Sequence, residues 1–118
     1  MNFIKNHAPR LLYILPAIAF AAAGIAKLMG VPAVHASFEM MGLPGWFGYL
    51  IGLAEVAGAV GLLMLRTRKL AAIGLALIMI GAIYFHIAYG VPSALPAAVL
   101  FALCGLTAFW NWNRPAAA

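Results

Sequence analysis

Three ionisable side chains, Lys27, Glu55 and His86, stand inside stretches that are otherwise apolar. A carboxylate, an ammonium and an imidazole that share one apolar pocket can exchange protons and hold a ligand oxygen. Glu55 is the most informative of the three. It lies about ten residues from either end of its apolar run, hence about 15 Å along a helix. An acid at that depth in a bilayer costs a few kcal/mol and must face protein or water. Its helical neighbours are Gly48, Ile51, Gly52, Gly58 and Ala59. This small-residue stripe is the kind that lets helices approach closely, so Glu55 is expected to point into a bundle. The face of Lys27 carries Phe20, Ala23 and Gly24. A snorkelling lysine is the plain alternative for it, and an interfacial imidazole bonded to a carbonyl is the plain alternative for His86.

The elements that position these residues follow from composition. The chain has 118 residues, 67% hydrophobic and 8% charged, against roughly 25% charged in a soluble domain. Disorder is excluded, because it needs low hydrophobicity and high charge. A nucleic-acid module is excluded, because the net charge of +5 is not arranged as a basic stripe. Cys104 is the one cysteine, so no intrachain disulfide forms and the redox compartment stays open. The composition leaves an integral membrane protein.

A span needs about 20 apolar residues. Residues 70–113 carry no Asp, Glu, Lys or Arg, too long for one span and right for two. Tyr89-Gly90-Val91-Pro92-Ser93 supplies the turn, pairing a helix-stopping Gly with a helix-opening Pro. The predicted spans are residues 11–29, with a kink at Pro16, then 45–65, 70–89 and 93–112. Period-two alternation is absent, which excludes a β-barrel. Between the first two spans, Val34, Phe38 and Met41 recur at helical spacing, with His35 and Glu39 on the other side. That pattern predicts a short amphipathic helix in the interface; an irregular polar loop is the alternative. The fold class is therefore all-α, a four-helix transmembrane bundle in a single domain.

Lys5, Arg10, Arg66, Arg68, Lys69 and Arg114 fall on one side and Lys27 alone on the other. Both termini are thus expected in the cytoplasm, in a cell (inner) membrane. Trp46, Tyr49, Tyr89, Trp110 and Trp112 sit near span ends, as aromatic belts do. A secretory signal cut after Ala21-Ala22-Ala23 is disfavoured, because the apolar run continues through Ala26.

Helical side chains tilt toward the helix N-terminus. Spans one and three run outward and span two inward, so Lys27, His86 and Glu55 lean toward one depth in the outer half of the membrane. The expectation is a polar pocket of these three, lined by Phe38, Tyr49 and Tyr84. His7 and His35 are expected to be exposed, and Cys104 to be a small packing residue. No metal-ligand spacing, Ser-His-Asp set, phosphate loop or GxGxxG occurs. For haem only His86 is placed, and a bis-His site would need two chains.

In order and spacing the chain resembles the DoxX and DoxX-like family of small four-span membrane proteins, over about residues 10–105. The carrying elements are Gly24 with Lys27, Phe38 with Gly42-Leu43-Pro44, Gly52-Leu53-Ala54-Glu55 with Gly58 and Gly61, the basic loop Arg66–Lys69, and His86. The resemblance implies a quinone-linked or redox-partner membrane subunit. The chain has no flavin, haem or metal motif of its own, so any electron-transfer role would need a quinone or a partner subunit. Two other readings stand beside this one. In a structural or assembly subunit, Lys27 and Glu55 would only fix helix register. A small proton-coupled transporter is the other; the small multidrug resistance family is similar in length and span number, but its buried Glu lies in the first span rather than the second. Whether the chain is an enzyme, which ligand it takes, and whether it forms a homo-oligomer are left open by the sequence.

Overall fold

The computed structural model describes residues 2–90 and 94–112, with side chains from residue 10 onward. The Lys5 and His7 side chains, the Val91–Ser93 part of the predicted turn and Arg114 lie outside the described residues. All regular structure among them is helical: α1 (Asn2–Leu28), α2 (Pro32–Met40), α3 (Phe47–Leu63), α4 (Arg68–Ala88) and α5 (Leu95–Trp110).

Four long helices close into a ring, α1 on α3, α3 on α4, α4 on α5 and α5 back on α1, while the short α2 rests on α1 and α3. Side-chain contacts fix the two ends of this bundle. At one end Thr107 of α5 donates to the Leu12 carbonyl of α1 at 2.9 Å, and the Arg68 guanidinium lies 3.6 Å over the Tyr13 ring. The other end holds Lys27, α2, the start of α3 and His86.

The packing is inverted relative to a soluble bundle. Small or slender residues form most of the core, among them Ala17, Ala59, Ala72, Ala97, Cys104 and Ala108, with Phe20, Leu62 and Leu75 as the large members. Large apolar side chains on all four long helices point outward: Ile18, Leu53, Leu77 and Phe109 are examples. This arrangement suits a lipid environment, where association relies on close packing rather than on hiding apolar surface. Cys104 is wholly buried, as expected of a packing residue.

Two of the four predicted spans reach full length: Arg10–Leu28 with 19 residues and Arg68–Ala88 with 21. α1 runs through Pro16 unbroken. The second and fourth predicted spans are shorter helices of 17 and 16 residues, about 25 Å against a hydrocarbon core of about 30 Å. α3 stops because Met64 adopts an extended conformation. α2 is a helix, not a polar loop. Pro32 opens it, and Gly30 (φ 76°) and Gly42 (φ 73°) make the turns on either side, in a region that favours glycine.

The carbonyls freed at the end of α3 need partners where water is scarce. Thr67 donates to Gly61 O at 2.9 Å, and Arg68 donates from Nε to Leu62 O at 2.7 Å and from Nη2 to Leu63 O at 3.4 Å. Arg68 is only 8% exposed, so this member of the basic loop is a helix cap. Arg68→Met is expected to cost about 2 kcal/mol, the usual scale for buried bonds from a charged donor plus a cation–π contact. The thermal midpoint in detergent measures it. Arg68→Lys should recover only part, because one ammonium cannot reproduce the fork.

Candidate functional site

α1 and α3 come into backbone contact one turn from the ionisable residues. A Cβ placed on Gly24 would sit 2.7 Å from Gly52 O, and one on Gly52 would sit 2.9 Å from Gly24 O. That closeness needs glycine on both sides. It brings Lys27, one turn after Gly24, against Glu55, one turn after Gly52.

Lys27 Nζ and Glu55 Oε1 are 2.7 Å apart, with side-chain exposures of 14% and 3%. Lys27 is therefore an ion-pair partner and not a snorkelling lysine. Glu55 points into the bundle and takes no further hydrogen bond at Oε1 among the described residues.

Beside the pair lies a cavity of about 660 Å³. Lys27 and Glu55 form part of its wall; Val34, Phe38 and Met41 of α2, the stripe expected to lie in the interface, form another. The far wall is α4, through Ile78, Ala82, Phe85 and His86. Because the α2 stripe faces a cavity rather than a packed core, none of its residues is fully buried. His86 joins the same cavity, but no ion pair links it to Glu55 among the described residues. Among the described residues its Nδ1 is buried without a hydrogen-bond partner, and its ring meets Phe85 edge-on at 5.6 Å. The alternative of a carbonyl-bonded imidazole does not apply at that nitrogen.

Two expected lining residues are corrected. Tyr84 is 60% exposed and turns outward, since two residues from His86 is about 200° around a helix. Tyr49 packs against His35 with ring centroids 4.4 Å apart and the planes tilted by 35°, and it is not among the residues lining the cavity. Phe38 lines it as expected.

His35 is also corrected. It is half-buried rather than exposed, and its Nε2 donates to the Lys27 carbonyl at 2.8 Å. The same carbonyl, in the last turn of α1, also accepts from Gly30 N–H at 3.1 Å, and a histidine eight residues on was the signal for the second bond. It ties α2 to the helix that carries Lys27. The contribution of α4 was legible only through His86; its other wall residues are apolar and carry no mark in sequence.

The cavity is mostly apolar, and among the described residues it offers an ammonium and an imidazole nitrogen without a hydrogen-bond partner. Among the described residues, no cluster of His, Cys, Asp or Glu is placed to hold a metal ion.

A helical ring with small residues inside, large apolar ones outside and an ion pair beside an apolar cavity defines a small all-α protein of membrane type. Over residues 11–108 the chain matches the DoxX-like family, and it belongs to that family. No curated protein and no solved structure matches it.

Proposed function

We propose that the chain is a multi-pass membrane protein with four spans, that both termini are cytoplasmic, and that its cavity binds the head of a quinone in the outer half of the bilayer. In this reading it is an accessory subunit of a membrane redox system, with electrons reaching the site through a partner. The Lys and Arg bias supports the orientation. The shorter α3 and α5 are accommodated by local thinning and by flanking Trp and Lys anchors. The observation that carries the ligand reading is the buried His86 Nδ1, without a partner among the described residues, in the same cavity as the Lys27–Glu55 pair.

Quinone, when bound, supplies two-electron chemistry coupled to protons. Lys27 keeps a donor aimed at a ligand oxygen while it holds Glu55. His86 gives or accepts a hydrogen bond at Nδ1, according to its protonation. Glu55 keeps the Lys27 ammonium at the cavity wall, and the apolar side chains of α2 and α4 exclude water from the exchange.

The test is the quinone content of protein purified in mild detergent. Wild type is expected to retain quinone, and Lys27→Ala and His86→Phe to lose it. His86→Phe is the cleaner variant, because it keeps the ring's shape and breaks no hydrogen bond at Nδ1. Retention of quinone by both folded variants would refute the reading.

A second reading has its own support. The ion pair sits one turn from the Gly24–Gly52 contact, where a register lock between α1 and α3 belongs. The exchange Lys27→Glu with Glu55→Lys separates the two: a lock survives it, a ligand site does not.

A further inference from the structure

The cavity wall on the α4 side ends at residues that face away from protein. Leu77 lines the cavity and is 63% exposed. Gly81, one turn further, also lines it, and a Cβ there would meet no atom within 4 Å. On the opposite side the cavity is bounded by α2, which rests on α1 and α3. The cavity thus opens sideways between α2 and α4, at a height where the neighbouring surface is apolar, Leu77 and Ile80 being examples. Lys27, Ser37, Glu55 and His86 are its polar lining residues, and Leu77 and Gly81 on its exposed α4 side are apolar or without a side chain.

We propose that this gap is a lateral portal to the bilayer. The occupant is a long-tailed amphiphile that enters from lipid past Gly81, places its oxygen-bearing head at Lys27 and His86, and leaves its apolar tail in the gap. A tail in the portal keeps contact with Leu77 and Met41 and never crosses water, so each buried methylene adds affinity. A headgroup alone lacks that contribution. This inference rests on the quinone reading for the identity of the head and not for the position of the portal.

The portal is tested first without ligand. Cys104 is fully buried, so a nitroxide on Gly81→Cys in lipid bilayers labels the mouth selectively. Collision with dissolved oxygen and exclusion of a water-soluble nickel chelate are expected; chelate access would overturn the portal. The second arm uses Gly81→Trp, with Gly74→Trp as control. Gly74 is on the same helix, equally open and away from the cavity. Two probes are titrated: decylubiquinone and its tailless dimethoxy-methyl-benzoquinone head. Gly81→Trp is expected to weaken the tailed probe by about tenfold or more while changing the head little, and Gly74→Trp to match wild type with both. Equal loss of both probes at Gly81, or no loss of the tailed one, would overturn the proposal. If wild type binds neither probe, the quinone reading falls and the occupant's identity with it, while the spin-label result still decides the portal.

Discussion

Lys27→Met is expected to be the most destabilising single change in the molecule, and Glu55→Gln the next. Breaking a buried ion pair by removing one partner costs roughly 3–5 kcal/mol, because the remaining charge loses its compensation. The two losses are not equal. Glu55 is 3% exposed in the side chain, sits well inside α3 and has a short stem, so without Lys27 it has no route to water. Lys27 lies in the last turn of α1 and has a long flexible stem that can reach the surface when Glu55 is neutralised. The double variant Lys27→Met with Glu55→Met should regain most of the stability, since a well-packed apolar pair replaces a buried ionic one with little loss. It should nevertheless lose the ligand. Thermal midpoints of the four proteins, read as a double-mutant cycle, measure the coupling. Additive losses would show that the pair does not hold α1 to α3.

Gly24→Ala carries the second large effect, and its sign is set by competing terms. Alanine favours a helix by about 1 kcal/mol over glycine. Against that, its Cβ would lie 2.7 Å from Gly52 O and 2.7 Å from Val56 Cγ2. A side-chain methyl can move aside; a backbone carbonyl in a neighbouring helix cannot without separating the helices. Overpacking of this kind costs about 1–3 kcal/mol, so the net change is a loss, and the displaced α1 pulls Lys27 from Glu55. Gly74→Ala is the control. Its Cβ meets nothing within 4 Å, so only the propensity gain of up to about 1 kcal/mol remains. A lower thermal midpoint for Gly24→Ala and an unchanged or higher one for Gly74→Ala are expected.

The placement of Glu55 was legible because an acid deep in an apolar run has few tolerable surroundings, and the glycines beside it marked the face. Lys27 followed from the direction in which helical side chains lean, and the 2.7 Å contact bears that out. The α2 stripe of Val34, Phe38 and Met41 was legible from spacing alone. What spacing could not supply was helix rotation about a cavity. Tyr84 and Tyr49 were assigned by depth, yet at about 100° per residue neither shares the face of the residue it was meant to accompany. His35 is expected to be exposed, and Arg68 stands in the sequence only as a member of the basic loop. Both instead satisfy carbonyls at helix ends, a role set by where the preceding helix stops, and a continuous apolar run does not display that. The lengths of α3 and α5 were overestimated for the same reason.

The central claim is that Lys27, Glu55 and His86 belong to one ligand site. Histidine-nitrogen NMR of the protein in lipid bilayers tests it most directly, with decylubiquinone added to saturation. Among the described residues His86 Nδ1 has no partner, whereas His35 Nε2 is already engaged with Lys27 O. The account predicts a shifted His86 Nδ1 resonance with His35 unmoved. An unmoved His86, or a response at His35 alone, would contradict it.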